Sequence, residues 1–248
     1  MARRARAQSC GTRAQGERLM RALLLVAGEG RRLRPLTLHR PKPLVTVGGE
    51  TLIERHLRAL VEAGIDEVGI NLHYRGEQIE QFVGTGERWG AAVRYFRERE
   101  LLDTGGAIRN AASWLGSEPF LIVAADVFTD FDFSSLPAVG AADAHLLVVR
   151  NPPHNPAGDF ALTEQGQLTR ASPRDFTYTG VGLIHPRLIS AEHRRVFPIR
   201  DCMFEAAARG RLAGSELRAS WSDVGTVERL RDCREHAIAA GEGGRDQA

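Results

Sequence analysis

Apolar and polar positions follow two rhythms along this chain of 248 residues. Short unbroken apolar runs recur, and between them apolar residues fall three and four apart. The first run, Leu23–Ala27, reads as a buried strand, because a strand covered on both faces of a parallel sheet has no polar side to show. Thr51–Ala63 carries Leu52, Ile53, Leu57, Leu60 and Val61 at helical spacing and stops at Gly64, a residue suited to helix ends. Glu67–Leu72 is predicted as a strand, Gly76–Val83 as a helix, Ala91–Phe96 as a strand and Thr104–Leu115 as a helix entered through a glycine turn. Phe120–Ala124 is a buried strand leading into Asp126, and Ala144–Arg150 is another. From Asp159 to Leu183, short segments broken by turn signals predict antiparallel strands,. Asp201–Arg209 and Thr226–Ala239 read as helices.

A βαβαβα beginning followed by mixed strands predicts an α/β fold. It is Rossmann-like, with a mostly parallel central sheet, helices on both faces and a small antiparallel insertion. Ligands in such sheets bind beyond the carboxyl ends of the strands. The Gly28–Lys42 loop, the Asp126 turn and the Gly105-Gly106 turn all lie at such ends. Three chemically suggestive segments therefore converge on one edge. The length suits one domain, placed at 20–240,. Residues 1–19 read as a disordered or non-native extension ahead of Met20, and 241–248 as a polar tail.

Charge sharpens this picture. The formal net charge is +2, but residues 1–19 hold five arginines against Glu17, leaving −2 for the remainder. The body is therefore not a nucleic-acid surface. No apolar run approaches the length of a membrane span,. The 1–19 segment has no apolar stretch and is not a secretory signal. Cys10, Cys202 and Cys233 show no metal or redox spacing and are odd in number, which favours a reducing, cytoplasmic setting.

Of the 33 basic residues, a single one is lysine, Lys42, within Pro41-Lys42-Pro43-Leu44. An ammonium is a compact point charge, whereas a guanidinium is a wide planar fork. Ahead of it run Gly28-Glu29-Gly30-Arg31-Arg32-Leu33-Arg34-Pro35. A Gly-x-Gly turn after a strand lets backbone N–H groups approach an anion. Leu33 stands where a dinucleotide fingerprint needs its third glycine, and no Gly-Lys-Ser/Thr is present,. Glycines, arginines and one isolated lysine directly after the first strand look like a nucleoside triphosphate cradle.

Leu25-Val26-Ala27-Gly28-Glu29-Gly30-Arg31-Arg32-Leu33-Arg34-Pro35-Leu36-Thr37, with Pro41-Lys42-Pro43-Leu44, resembles the signature of sugar-1-phosphate nucleotidyltransferases. The resemblance continues through Asn71-Leu72-His73-Tyr74, Thr104-Gly105-Gly106, Asp126 and Trp221-Ser222-Asp223-Val224-Gly225-Thr226, covering roughly residues 20–238. The chain looks most like the short bacterial N-acetylmuramate-1-phosphate uridylyltransferase type, related to mannose-1-phosphate guanylyltransferases. The resemblance implies the nucleotide-diphospho-sugar transferase fold and a monomer or small homo-oligomer. It implies Mg²⁺-dependent transfer of a nucleotidyl group from an NTP, with UTP favoured, to a sugar 1-phosphate.

The resemblance also carries roles. Arg34 and Lys42 become catalytic. Ala27, Gly28, Gly30, Arg31, Asn71, His73 and Gly106 contact the nucleotide. Asp159 and Gly180 contact the sugar, and Asp126 and Asp223 form the metal pair. A carboxylate at a strand's carboxyl end suits Mg²⁺, which takes one or two carboxylates plus phosphate oxygens and waters. Taken alone, Asp126 reads equally as a turn cap and Asp223 as a charge at a helix start. The chain departs from the family at Ala124-Ala125, where Asn-Gly is usual, and it lacks the second lysine of an E-K-P segment. It also stops soon after the last core helix, with no β-helix domain expected. Two other classes compete. A non-catalytic nucleotide-sugar sensor could dispense with the metal pair, and a NAD-dependent enzyme needs the missing glycine.

Overall fold

The computed structural model describes residues 20–239, so the readings of 1–19 and 241–248 fall outside the described residues. The chain opens with β1 (Arg21–Leu25), the short strands β2 (Thr46–Val47) and β3 (Glu50–Thr51), and α1 (Leu52–Glu62). Next come β4 (Glu67–Leu72), α2 (Gly76–Val83), β5 (Ala92–Arg97), α3 (Asp103–Leu115), β6 (Phe120–Ala124) and β7 (Val127–Thr129). The second half holds β8 (Ala144–Arg150), β9 (Ala161–Leu162), β10 (Leu168–Thr169) and β11 (Phe176–Ile184). It closes with α4 (Ile199–Ala208), β12 (Leu212–Glu216), β13 (Trp221–Asp223) and α5 (Val227–Ala239).

Seven strands form the central sheet in the order β12-β8-β11-β6-β1-β4-β5. All pairings are parallel except the two made by β11, which runs against β6 and β8. The carboxyl ends of six strands therefore share one edge. The chain moves outward from β1 to β4 and β5, then returns to place β6 on the other side of β1. That reversal is the crevice in which open α/β sheets hold ligands.

Apolar side chains cover both faces. Alternate β1 residues point opposite ways, so Leu24 packs with Ile53, Leu57 and Ile79 from α1 and α2, while Leu23 packs with Ile108 and Leu115 of α3. Thr51 caps α1 reciprocally with Glu54, which is why the helical pattern begins there. A third cluster joins Leu33, Val47, Phe128, Val224 and Leu230. It anchors three things at once: the loop after β1, the antiparallel β7–β13 ribbon and α5.

The expected first strand shifts by two residues. The ladder ends at Leu25, and the Val26 N–H donates instead to the Asn71 side-chain oxygen at 2.8 Å. Val26 and Ala27 thus belong to the loop. The expected glycine turn at 105–106 is also corrected, because both glycines lie inside α3. Their N–H groups donate to the Phe197 carbonyl at 2.9 and 3.2 Å. A Cβ on Gly105 would strike the Phe197 ring, and one on Gly106 the Arg195 carbonyl. Packing, not turn geometry, explains this pair.

Candidate active site

The loop after β1 is shaped for close approach. Gly30 is left-handed at φ 60°, a conformation costly for other residues. A Cβ there would stand 3.0 Å from Thr37 Cγ2 and 3.1 Å from Lys42 Cβ. Thr37 Oγ1 donates to the Gly30 carbonyl at 2.8 Å and closes the loop. Gly28 differs, since a Cβ there would meet nothing within 4 Å. The space beside it opens into a cavity of about 490 Å³.

That cavity sits at the β1/β6 crevice. Residues 25–28, 30–32, 42–43 and 124–126 line it, with Asn71, Leu101, Asp103, Thr104 and Gly225. Of the residues singled out from the sequence, it gathers Ala27, Gly28, Gly30, Arg31, Lys42, Asn71 and Asp126. Lys42 is 9% exposed, and its Nζ donates to Asp126 Oδ2 at 2.6 Å. These partners are 84 positions apart in sequence.

Asp223 lies beside Asp126 without lining this cavity. In the β7–β13 ribbon Asp223 pairs with Val127, and the Val224 N–H donates to the Asp126 carbonyl at 2.8 Å. The Asp223 carboxylate pairs with Arg229 and with His154 at 3.2 Å. A second cavity of about 720 Å³ opens on that side, bounded by Arg32, Arg150, His154, Trp221 and Arg229 among others. The two cavities meet at Arg32, which lines both. A Cβ on Gly225 would collide with the Arg229 guanidinium and stand 3.2 Å from that of Arg32. Asp126, in the turn before β7, and Asp223, on β13, are donors of the kind that hold a divalent cation completed by phosphate oxygens. Among the described residues no cluster of three or more His, Cys, Asp or Glu could hold a metal unaided. A cation here would depend on substrate for its remaining ligands.

The other residues singled out from the sequence have partners within the fold. Arg31 makes a forked pair with Glu29, at 2.6 and 2.9 Å, and Arg34 reaches the same carboxylate at 3.3 Å. Hydrogen bonding from Arg31 holds the Glu29 carboxyl below its usual range. Arg34 does not line the cavity. His73 is exposed and faces the Glu98 carbonyl at 3.1 Å. Gly106 stays inside α3 with its N–H bonded to Phe197. Asp159 accepts from the Tyr178 N–H at 2.9 Å and so fixes a loop. Gly180, at φ 85°, occupies a register shift in β11, and a Cβ on it would stand 2.9 Å from Ala124 Cβ.

Three residues carry weight that the sequence did not show. Arg229 and His154, with Arg32 of the basic loop, surround the Asp223 side. Arg229 belongs to α5 and His154 to the loop after β8, and only folding joins them. His56 is the third. It lies on the buried face of α1, 1% exposed, and bonds the Val127 backbone beside Asp126. Burial pushes its pKa down to about 4, so it packs as a neutral ring. Its position on an otherwise apolar helix face was the available signal.

A reversed α/β sheet with a basic glycine loop and paired carboxylates at one edge defines a nucleotidyl-transferring enzyme of the nucleotide-diphospho-sugar transferase fold. The chain belongs to the nucleotidyl transferase family, whose family model matches residues 21–172. It is a sugar-1-phosphate nucleotidyltransferase. It is 39% identical over 226 residues to N-acetylmuramate alpha-1-phosphate uridylyltransferase of Neisseria meningitidis serogroup B, covering 87% of this chain and 97% of that protein. It is 30% identical over 219 residues to the mannose-1-phosphate guanylyltransferase catalytic subunit beta of Dictyostelium discoideum, but spans 61% of that protein's length. HddC from Yersinia pseudotuberculosis, solved with GMP-PN, superposes with a TM-score of 0.72 at 20% identity, covering 88% of this chain and 99% of HddC. A UDP-glucose pyrophosphorylase solved with UDP-glucose gives 0.75 at 17% identity, covering 90% of this chain and all of that one. These two share the fold. No described helix is long and apolar enough to cross a membrane.

Proposed function

We propose that the chain transfers UMP from UTP to N-acetylmuramate 1-phosphate, with Mg²⁺, releasing pyrophosphate. The observation that carries the substrate choice is the 39% identity to the Neisseria uridylyltransferase over 97% of that protein's length. The triphosphate takes the cavity beside Gly28, and the sugar phosphate takes the second cavity, against Trp221. A sugar-phosphate oxygen forms the new bond to the α-phosphorus as the α–β bridging bond breaks, and the electron pair leaves with pyrophosphate. The reaction needs charge neutralisation and alignment, and no nucleophilic side chain. Asp126 and Asp223 would hold the cation, which supplies Lewis-acid neutralisation of phosphate charge when bound. Lys42 exchanges its carboxylate partner for a phosphate oxygen. Arg32, shared by the two cavities, faces both phosphoryl groups. Arg229 and His154 balance the sugar phosphate, the duty of the absent second lysine. Arg31 and Arg34 leave Glu29 to meet the outer phosphates.

Guanylyl transfer is a second reading, and Asp103 favours it. Asp103 lines the cavity, and a carboxylate there would repel phosphate but could accept from the N1–H and N2–H groups of guanine. One screen decides between them: pyrophosphate release over four NTPs against N-acetylmuramate, mannose and heptose 1-phosphates. A kcat/KM at least tenfold higher for UTP with N-acetylmuramate 1-phosphate supports the first reading. GTP with a mannose or heptose phosphate would replace it. A site that hydrogen-bonds one base edge rejects the other strongly. Chelation with EDTA should stop turnover, and Mg²⁺ should restore it.

A further inference from the structure

Glu98 is 7% exposed. No residue motif marked it, and it touches no cation in the site. Its two carboxylate oxygens accept from two neutral donors: Asn71 Nδ2 at 2.7 Å and the Leu102 backbone N–H at 3.0 Å. Asn71 in turn accepts the Val26 N–H. One chain of bonds therefore runs from the loop after β1, across the end of β4, to the residue that opens α3. Those two ends carry two linings of the cavity, residues 26–28 on one side and Leu101, Asp103 and Thr104 on the other. β4 stands between β1 and β5, so the linings hang from strands two spacings apart, roughly 10 Å. Buried acceptors without partners are costly, and satisfied networks fix one geometry.

We propose that Glu98 is a positioning residue that sets the width of this cavity and hence its grip on the nucleotide. The assignment rests on the reading that the nucleotide binds here. Asn71 itself is then a strut as much as a nucleotide contact, because both ends of its amide are taken. The chemistry explains why position 98 carries an acid. The Val26 N–H fixes the Asn71 amide with Nδ2 toward residue 98, and Leu102 presents a second N–H. Only a group with two acceptors meets both. Glutamine offers one acceptor and one donor, so it opposes a donor to a donor on one side.

The same logic supplies a rescue. When Asn71→Asp is combined with Glu98→Gln, the new carboxylate at position 71 would accept from the Val26 N–H and from the glutamine amide. The glutamine oxygen would accept from Leu102. All three bonds return, with the charge moved one residue along the chain of bonds.

The test is steady-state kinetics of the full chain with UTP and N-acetylmuramate 1-phosphate. Glu98→Gln should raise the UTP KM tenfold or more, leaving kcat and the sugar-phosphate KM within about threefold. The double variant should recover the melting temperature that Glu98→Gln loses; its UTP KM is not the readout, because Asn71 lines the cavity. An unmoved UTP KM in Glu98→Gln, a parallel rise in both KM values, or a double variant that melts no higher than the single overturns the proposal. If Glu98→Gln does not fold, Glu98→Asp decides, since it keeps two acceptors on a shorter stem. A raised UTP KM with kcat held supports the assignment, and an unmoved one overturns it. Lys42→Met separates this idea from the site reading. A raised UTP KM there beside an unmoved one in Glu98→Gln overturns the Glu98 role alone. Unmoved values in both overturn the placement of the nucleotide.

Discussion

Replacing Lys42 with arginine keeps the charge and changes its shape, so it isolates what a point donor contributes. Lys42 Nζ lies 2.6 Å from Asp126 Oδ2, and its side chain is 11% exposed. The ammonium is a compact head seated against Asp126 on a largely buried side chain, and a wide planar fork cannot take that place unchanged. The guanidinium must put its charge a few ångströms from the ammonium's place. Moving a unit charge from about 4 to about 7 Å from a phosphate, at an effective dielectric near 20, forfeits about 2 kcal/mol. Losing the aligned hydrogen bond as well brings the cost to about 2–4 kcal/mol, or ~30–1,000-fold in kcat/KM. Stability should barely move. Asp126 is 37% exposed, and part-exposed pairs contribute about 0–1 kcal/mol. The assay is pyrophosphate release with UTP and N-acetylmuramate 1-phosphate, beside a thermal melt. Lys42→Arg should retain UTP binding and lose kcat, whereas Lys42→Met should lose both. A Lys42→Arg enzyme within threefold of wild type would refute the point-charge argument and make the lone lysine an accident of composition.

Asp126→Asn and Asp223→Asn should each abolish metal-dependent turnover while UTP binding measured with EDTA survives; full activity in either variant removes it from the metal pair. Gly28→Ala and Gly30→Ala should part company. The first should keep the wild-type melting temperature and raise the UTP KM, because its Cβ enters open cavity space. The second should lower the melting temperature too, since a left-handed backbone costs a non-glycine residue about 1–2 kcal/mol. Equal melts for both variants would contradict this. Away from the site, Asp143 is 4% exposed and held by Arg211 and Arg187. Hydrogen bonding from Arg211 keeps its carboxyl below the usual value. A depressed carboxyl stabilises the fold above its unfolded pKa, near 3.8, and that stability drains as pH falls through the folded value. Denaturant melts at pH 5 and pH 3 should show a smaller acid loss in Asp143→Asn than in wild type, and equal losses would refute the coupling.

The parts legible in the sequence are those whose causes are local. β4, α2, β6 and β8 fall at their expected bounds, because each is set by a period and by the residues beside it. The errors arise where a distant atom competes. The first strand ends early because an asparagine 45 positions away takes the Val26 N–H. Gly105 and Gly106 look like a turn, yet they are small because Phe197 and Arg195 press on α3. At Gly180 the sequence reading and the packing address different neighbours: a Cβ there would stand 2.9 Å from that of Ala124, which accounts for the glycine whether or not a sugar approaches it.

The active site divides along the same line. Lys42 was legible because an arginine-rich composition makes a lone lysine conspicuous, and its loop is one continuous segment. Asp126 and Asp223 became a pair only through family resemblance, since no spacing rule joins positions 97 residues apart. What brings them together is the third apolar cluster, in which Phe128 and Val224 bury the ribbon that carries both carboxylates. Arg229, His154 and Glu98 had no such support. Arg229 lies on a helix with charged neighbours, where a solvated arginine is the ordinary expectation. His154 lies in a proline-rich loop, and Glu98 in the acidic and basic run Arg97-Glu98-Arg99-Glu100. Each gains meaning from one partner across the fold: Asp223 for the first two and Asn71 for the third. A charged residue in a charged run is silent until burial singles it out. Glu98 and Glu100 stand two apart and would share one face of a continuing strand, yet one is buried and the other is exposed. The chain has left β5 by then, and what separates the two is the tertiary contact of Glu98 with the Asn71 amide and the Leu102 N–H, which no period in the sequence foretells.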